Sequence, residues 1–230
     1  MVYNVLQLDK TISPHQGENI IFAGSAIEES DSAMILLHGR GAEAASMKGL
    51  TAELETERMV YIIPEARNYT WYPLRFIEKR ELNEPALTSG LILIDAIVNA
   101  LGNNGFQKAN IYILGFSQGA CLGVEYVARY PARFAGVFAL SGGLIGEKIS
   151  VNDYHGDLDH TPVFFGCSDS DIHIPAQRID ESVRIFENLN ADVTKKIYPD
   201  LGHAINQDEM NFINKILSAR KVIQDAPSRM

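Results

Sequence analysis

One serine in this chain has a glycine two residues to either side, in the run Gly115-Phe116-Ser117-Gln118-Gly119. Where a strand turns sharply into a helix, such a serine holds its hydroxyl above the edge of the sheet. A side chain in place of either glycine would collide with the neighbouring strand or helix. The first N–H groups of the helix would face the negative charge that develops during reaction. The pattern therefore predicts Ser117 as a nucleophile.

The residues around this pattern supply the strand and the helix that it requires. Ile111, Tyr112 and Ile113 form a β-branched and aromatic run, which is typical of a parallel strand buried on both faces. After the serine, apolar residues recur at helical spacing until Pro131: Ala120, Cys121, Val124, Val127 and Ala128. Because the glycine-serine pattern alone is a weak signal, the prediction depends on these neighbours.

A serine hydroxyl needs an adjacent base, which is itself oriented by a third group. In this type of site the chain order is serine, acid, histidine, and ligands gather at the carboxyl ends of parallel strands. Six histidines compete for the role, but only His203 follows the last predicted strand, in a Gly202-His203 turn. We therefore predict His203 as the base, with a helix-capping or solvated histidine as the alternative.

Two aspartates compete for the role of the acid. Asp169 and Asp171 both follow the predicted strand over 162–165, and either one could instead stabilise a turn or cap a helix. The spacing to Pro175, which begins the next predicted helix, favours Asp171. Asp169 stays open as the alternative.

The oxyanion formed on the substrate needs two backbone N–H donors. One is predicted at Gln118, directly after the serine, and the other at Arg40 in the turn His38-Gly39-Arg40-Gly41. Arg40 would act through its backbone and not through its side chain. The alternative for this segment is a simple tight turn between a strand and a helix.

Residues 65–83 form the one long irregular stretch, and loops of this length in a compact domain are usually functional or disordered. Its aromatic residues argue against disorder, so we expect it to roof an open cleft. Trp71, Tyr72 and Phe76 are the candidates for the substrate pocket and for setting acyl-chain length, with core packing as the equal alternative. Since only residues 144–160 are available after the next strand, no cap domain is expected.

Two other groups of residues could bear chemistry. The run His155-Gly156-Asp157-Leu158-Asp159-His160 contains metal-ligating types, but we interpret it as a solvated loop and predict no metal site. Cys121 is interpreted as a small buried side chain and not as a second nucleophile.

Strands and helices alternate at least five times, which favours an α/β fold with a mostly parallel sheet and helices on both faces. We predict one domain over 1–230, with an antiparallel edge hairpin in 1–30, a helix from about 42 to 58 and a frayed tail over 225–230. Asn206 and Glu209 are spaced as a helix capping box. The predicted buried or final strands cover 33–37, 59–63, 111–114, 134–140, 162–165 and 192–199.

Composition sets limits on partners and location. The 230 residues carry a net charge of −9 without a basic cluster, which argues against nucleic acid or an anionic membrane as the main partner. No apolar run reaches membrane-spanning length, and the N-terminus does not resemble a secretory signal. The two cysteines lie in core-like contexts, so a cytoplasmic location is expected.

Together these motifs resemble the bacterial phospholipase/carboxylesterase family of α/β-hydrolases, which are relatives of acyl-protein thioesterases. The resemblance runs from about residue 33 to 217, and the Gly-Phe-Ser-Gln-Gly run is its most specific part. It implies an α/β-hydrolase fold and a triad of Ser117, Asp171 and His203. The family usually has proline directly after the acid, whereas this chain has Ile172, which keeps Asp169 open.

The sequence thus predicts a serine hydrolase that needs no cofactor and cleaves small or short-to-medium carboxylic esters through an acyl-enzyme. Thioesterase, lysophospholipase, and lactone or quinone-type hydrolase activities would use the same residues. A catalytically inactive scaffold that binds a small ligand is the alternative of another class, although a pure binder has no need for a strained turn at the serine. The resemblance is also compatible with a homodimer, for which the sequence specifies no surface.

Overall fold

The computed structural model describes residues 6–54 and 56–224. The strands are β1 (Ile20–Gly24), β2 (Ser32–Leu37), β3 (Met59–Pro64), β4 (Ile111–Phe116), β5 (Gly136–Leu140), β6 (Pro162–Ser168) and β7 (Asp192–Tyr198). All strands of this part of the chain belong to one seven-stranded sheet in the order β1-β3-β2-β4-β5-β6-β7. Only β1 runs antiparallel to its neighbour, so the prediction of a mostly parallel sheet is confirmed.

Helices cover both faces of the sheet, as predicted. The helices are α1 (Ala44–Leu50), α2 (Ala86–Asn103), α3 (Gln118–Arg129), α4 (Ala176–Asn188) and α5 (Gln207–Gln224). Helices α2, α3 and α4 contribute to the apolar cluster on one face, and α1 and α5 contribute to the cluster on the other. Alternate residues of β2 enter the two clusters, because successive side chains of a strand point to opposite faces.

The N-terminal hairpin predicted over 1–30 is wrong in its pairing. Residues 6–9 are in no strand, and β1 pairs antiparallel with β3 instead, from Ile20 opposite Pro64 to Gly24 opposite Val60. Five residues at the edge of the buried β3 pair with β1, whereas Leu6 packs into the core cluster and not beside β1. The antiparallel edge strand itself is present. Residues 1–5 lie outside the described part of the chain.

The helix predicted from about 42 to 58 is much shorter than expected. Helix α1 ends at Leu50 and is followed by one 3-10 turn, Thr51–Glu53. The Thr51 hydroxyl donates to the carbonyl of Lys48, which is a local bond that competes with helix continuation. Arg58, directly before β3, then adopts a positive φ of 51°.

The connection between β5 and β6 contains only one 3-10 turn, Val151–Asp153, so the described structure has no cap domain at this point. Helix α2 is long and apolar enough to cross a membrane, but 61% of it is buried inside the protein. That burial is typical of a core helix. The single domain over 1–230 stays a prediction, and the tail over 225–230 lies outside the described residues.

Candidate active site

Ser117 occupies a sharp turn between the end of β4 and the start of α3. Its backbone has φ 55° and ψ −120°, which is a strained conformation for a residue with a side chain. The Ser117 N–H donates to the carbonyl of Leu140 at 2.9 Å, so the turn is tied to the end of the adjacent strand. The strained strand-to-helix turn that the sequence predicts is therefore present.

The two glycines around Ser117 are required by close packing. A Cβ atom at Gly119 would lie 2.2 Å from the carbonyl oxygen of Leu37, and one at Gly115 would lie 2.5 Å from the backbone N of Ala120. Both distances are far below a permissible contact, so only glycine fits. The predicted physical reason for the pattern is confirmed.

The turn after β7 brings His203 against the serine. Its Nε2 lies 2.9 Å from the Ser117 Oγ, and its Nδ1 lies 2.8 Å from Asp171 Oδ2. A carboxylate only accepts, so Nδ1 carries the proton and Nε2 is left to accept from the serine hydroxyl. The three side chains therefore form one continuous hydrogen-bonded series.

Asp171 is held as a buried carboxylate. Its side chain is 0% exposed, and its Oδ1 accepts from the backbone N–H groups of His173 at 2.8 Å and Ile174 at 3.1 Å. Burial alone would raise the pKa of Asp171, but the hydrogen bonds from His203 and these N–H groups outweigh it and lower the pKa below its ordinary value. The acid is therefore ionised and can stabilise a protonated histidine.

Asp169, the alternative acid, has other contacts. Its Oδ1 accepts from the backbone N–H of Asp200 at 3.0 Å, and no hydrogen bond joins it to His203 among the described residues. Asp171 alone of the two candidates touches the histidine. Ile172, which stands where the resembled family has proline, has a side chain 83% exposed.

The turn after β2 lies directly against the serine. A Cβ atom at Gly39 would be 3.4 Å from the Cβ of Ser117, so the backbone of this turn packs directly against the serine. Within the described chain, no intramolecular hydrogen bond starts from the backbone N–H of Arg40 or Gln118. The two predicted oxyanion donors are thus available, and Gln118 is the first residue of the twelve-residue helix α3.

The Arg40 side chain has a contact that the sequence did not indicate. Its guanidinium donates to the carbonyls of Pro73, at 2.6 Å, and Leu74. The next residue, Gly41, donates its N–H to the carbonyl of Tyr69 at 2.7 Å. The irregular stretch over 65–83 is therefore fastened onto the predicted oxyanion turn.

The same stretch is fastened to the helix that follows the serine. The Gln118 side chain accepts from the N–H of Trp71 at 2.9 Å and donates to the carbonyl of Tyr72 at 2.7 Å. The Trp71 indole N–H donates to the carbonyl of His38 at 2.9 Å. Gln118 and Trp71 hence join three segments around the site, and their side-chain roles escaped sequence reasoning.

Trp71 and Tyr72 do not line a substrate pocket, so this part of the prediction is wrong. Their side chains are 0% and 1% exposed and belong to the core cluster, as does Phe76 with 6%. The Phe76 ring lies under the Arg178 guanidinium, 5.7 Å from the ring centroid. Core packing, the alternative interpretation of these aromatic residues, describes them correctly, because all three side chains are buried in the core cluster. The Trp71 indole also donates to a backbone carbonyl, whereas the buried Tyr72 hydroxyl has no hydrogen-bond partner among the described residues.

Other side chains remain accessible near the reaction centre. The rings of Phe116 and His173 lie 4.9 Å and 4.8 Å from the His203 ring. Two exposed apolar residues lie in the segments around the site: Ile172, 83% exposed, directly follows Asp171, and Leu74, 42% exposed, accepts from the Arg40 guanidinium through its carbonyl. Exposed apolar residues in loops are common, so no sequence signal distinguished these two.

His38, at the end of β2, is a buried neutral histidine. Its Nε2 accepts from the N–H of Ala66 at 3.0 Å, so its Nδ1 carries the proton and donates to the Gly39 carbonyl at 2.8 Å. Burial lowers the pKa of His38 below its ordinary value of 6.5. The neutral ring fixes the backbone at the start of the turn after β2, which is the predicted oxyanion turn.

His15, in the N-terminal segment, is buried in the same way. Its Nδ1 accepts from the N–H of Arg67, and its Nε2 donates to the Trp71 carbonyl, both at 3.0 Å. Burial lowers the pKa of His15 as well. The Trp71 ring contacts the rings of both histidines, with centroids 5.4 Å and 5.0 Å away.

The remaining candidates have local partners. Burial raises the pKa of the Cys121 thiol to about 12, so it is a poor nucleophile. His160 contacts Asp192 at 3.1 Å, and Asp157 accepts from Asn190 at 2.9 Å. Among the residues described here, no three histidine, cysteine or acidic side chains are grouped as metal ligands.

This architecture, with a serine at a strand-to-helix turn and a histidine and aspartate after later strands, defines the α/β-hydrolase fold. The family model described as phospholipase/carboxylesterase matches residues 18–221. The chain belongs to that family.

Relatives and solved structures agree with this assignment. A phospholipase/carboxylesterase from Dyadobacter fermentans has a TM-score of 0.85 at 38% identity, over 92% of this chain and 100% of that one. Acyl-protein thioesterase 1 of Kluyveromyces lactis is 30% identical over 57% of this chain and 59% of its own. A probable carboxylesterase of Arabidopsis thaliana, SOBER1-like, is 25% identical over 60% and 53%. The chain thus spans between half and three fifths of these two curated relatives.

Proposed function

We propose that the protein is a serine carboxylesterase-type hydrolase. The observation that carries this proposal is the continuous contact from Asp171 through His203 to Ser117, at 2.8 Å and 2.9 Å. A serine hydroxyl becomes a competent nucleophile when a neutral imidazole accepts its proton and a carboxylate stabilises the resulting cation.

In the first half of the reaction the Ser117 oxygen attacks the ester carbonyl carbon, and His203 takes the serine proton. The backbone N–H groups of Arg40 and Gln118 stabilise the negative oxygen of the tetrahedral intermediate. The intermediate collapses, the bond to the alcohol oxygen breaks, and His203 gives its proton to the departing alcohol. The acyl group is then bonded to Ser117.

In the second half a water molecule attacks the acyl-serine. His203 accepts a proton from this water, and the same two N–H groups hold the new oxyanion. Collapse releases the carboxylic acid and returns the proton to the Ser117 oxygen. The side chains supply the nucleophile, base and electrostatic stabilisation, so the proposed reaction needs no cofactor.

For the substrate, we favour small or short-to-medium carboxylic esters. The carboxylesterase name of the Arabidopsis relative and the exposed apolar side chains of Leu74 and Ile172 support this choice. A thioester is the second candidate, supported by the acyl-protein thioesterase name of the yeast relative. Both substrates would pass through the same acyl-serine.

The proposal extends to location and assembly. Cys121 and Cys167 are free and buried, which fits the reducing cytoplasm that we infer for this protein. We infer a small-molecule ester as the partner, and a homodimer stays a prediction.

The decisive experiment is hydrolysis of p-nitrophenyl acetate, butyrate and octanoate by the wild type and by Ser117→Ala, Asp171→Asn and Asp169→Asn. We expect kcat to fall about a thousandfold or more for Ser117→Ala and Asp171→Asn. Asp169→Asn, which keeps an accepting oxygen, retains most of the activity. A wild type that neither turns over any ester nor reacts with a fluorophosphonate would indicate a ligand-binding scaffold instead.

A further inference from the structure

The two turns that carry Asp171 and His203 must keep a fixed relation for the histidine to reach Ser117. One turn follows β6 and includes residues 169–175, and the other follows β7 and includes residues 199–203. We refer to them as the acid turn and the base turn. Both are irregular, so neither helix nor strand hydrogen bonds fix their positions relative to each other.

The base turn has little support from its own backbone. Among the backbone hydrogen bonds of the described chain outside helices and strands, none starts or ends within residues 199–205. Asp200 and Gly202 also have positive φ values of 51° and 71°, so the chain bends sharply twice before His203. Side chains must therefore hold this segment in place.

Ser168, the last residue of β6, supplies one of these side-chain contacts. Its Oγ accepts from the N–H of Gly202 at 3.0 Å and from the N–H of Ser170 at 3.2 Å, and it donates to the Tyr198 carbonyl at 3.2 Å. A further contact at 3.1 Å joins this hydroxyl to that of Ser170, so its capacity for hydrogen bonds is fully used within the protein. Ser168 is 1% exposed, so water does not compete for these bonds.

Asp169 supplies the second contact. Its Oδ1 accepts from the N–H of Asp200 at 3.0 Å, and its own N–H donates to the Tyr198 carbonyl at 3.1 Å. Ser168 and Asp169, which are consecutive at the junction of β6 and the acid turn, thus bind two backbone N–H groups of the base turn. Both N–H groups lie within three residues of His203.

We propose that Ser168 and Asp169 are positioning residues that hold the His203 imidazole between Asp171 and Ser117. This inference rests on the function proposed above. Neither residue touches the reacting atoms. Their effect passes through the backbone of the base turn, where a displacement of about 1 Å is enough to lower a rate a hundredfold.

The test compares Ser168→Ala with Ser170→Ala. The hydroxyl of Ser170 lies 3.1 Å from that of Ser168, but Ser170 is bonded to no residue of the base turn. We expect Ser168→Ala to lower kcat for p-nitrophenyl butyrate about 10- to 100-fold with KM changed less than about threefold. Ser170→Ala should stay within about twofold of the wild type.

A conservative replacement and an exposed site keep the test valid if Ser168→Ala folds poorly. Ser168→Thr keeps the accepting oxygen and should recover most of the kcat. Asp169→Ala should lower kcat about 3- to 10-fold, whereas Asp169→Asn keeps the acceptor and should not. Asp169 is exposed, so neither substitution disturbs the core.

Fluorophosphonate labelling distinguishes a failure of the proposed hydrolase function from a failure of the positioning role. A wild type that is not labelled would overturn the proposed function itself. A labelled wild type, with Ser168→Ala and Asp169→Ala labelled as fast as Ser170→Ala, would overturn only the positioning role. Slower labelling in step with kcat, without a matching rise in KM, would support it.

Discussion

The two sides of the candidate site are built differently. On the side of Ser117, buried groups hold the predicted oxyanion turn over residues 38–41. The Trp71 indole donates to the His38 carbonyl, and the Gln118 side chain accepts from the Trp71 N–H. On the other side, His203 stands on a turn that side-chain contacts hold at the surface, and its own side chain is 21% exposed. The Ser117 side is therefore part of the core, whereas the turn that carries His203 lies on its surface.

This difference predicts where mutations act. A change on the core side must disturb packing, so it should lower the free energy of unfolding together with activity. A change at the base turn should displace His203 and leave the core intact, so it should lower kcat with little effect on unfolding. The three predictions below test this separation, from the largest effect to the smallest.

Two glycine substitutions give the strongest contrast. A Cβ at Gly119 would lie 2.2 Å from the Leu37 carbonyl oxygen, whereas one at Gly202, with φ 71°, would meet no atom within 4 Å. We expect Gly119→Ala to cost more than about 3 kcal/mol of unfolding free energy and to abolish activity. Gly202→Ala should cost only about 1 kcal/mol of backbone strain while lowering kcat.

Urea unfolding followed by circular dichroism, combined with p-nitrophenyl butyrate kinetics, measures both quantities for these variants. If Gly119→Ala and Gly202→Ala both lost stability and kcat in the same proportion, the separation of the two sides would be contradicted.

The second prediction concerns Trp71, whose indole donates to the His38 carbonyl. Trp71→Phe removes that donor and leaves a buried carbonyl without it, which should cost about 1 to 3 kcal/mol of unfolding free energy. Because Trp71 is 0% exposed, the relative rates for acetate, butyrate and octanoate esters should not change. A changed ranking in a variant of normal stability would show that Trp71 does contact the acyl chain.

Trp71 also shows where sequence reasoning reaches its limit. An aromatic residue in a long loop has the same pattern whether it faces a cleft or donates to a backbone carbonyl. The choice between Asp169 and Asp171 was open for a similar reason, since both follow β6 and only the fold decides which one meets His203. The strained serine turn was predictable, because Gly115 and Gly119 are needed for local collisions that the pattern itself implies.

The strand that pairs with β1 was likewise not predictable from the sequence. A period-two pattern over residues 20–22 indicates a strand, but it does not say whether the neighbour comes from the preceding segment or from β3. By contrast, the Asn206–Glu209 capping box was predictable from two residue types at a fixed spacing. Both of its reciprocal bonds form at 2.9 Å.

The two sides also contain buried ionisable groups of opposite kind. Next to the predicted oxyanion turn, burial lowers the pKa values of His15 and His38. On the other side, burial raises the pKa of Glu209 from 4.5 to about 7, and its Oε1 has no partner among the described residues. Acid should therefore destabilise the core side, and alkali should destabilise the helix that follows the base turn.

The direction of each effect follows from proton binding in the folded and unfolded chains. Below pH 6.5 a histidine in the unfolded chain binds a proton, whereas folded His15 and His38, whose pKa values are lowered, stay neutral. Their contribution to stability is therefore lost as the pH falls. Between pH 4.5 and about 7 the folded Glu209 binds a proton that the unfolded chain releases, so its contribution is lost as the pH rises.

The third prediction is that two substitutions remove these opposite slopes separately. His15→Gln should flatten the loss of unfolding free energy below pH 6.5, by at most about 1.4 kcal/mol per pH unit for one proton. Glu209→Gln, which keeps an oxygen for the Asn206 N–H, should remove a loss of up to about 3 kcal/mol between pH 4.5 and 8. Urea unfolding at half-unit pH steps measures both slopes. If either substitution reduced both the loss of unfolding free energy at low pH and the loss at high pH, the two sides would be electrostatically coupled and the proposed separation would be wrong.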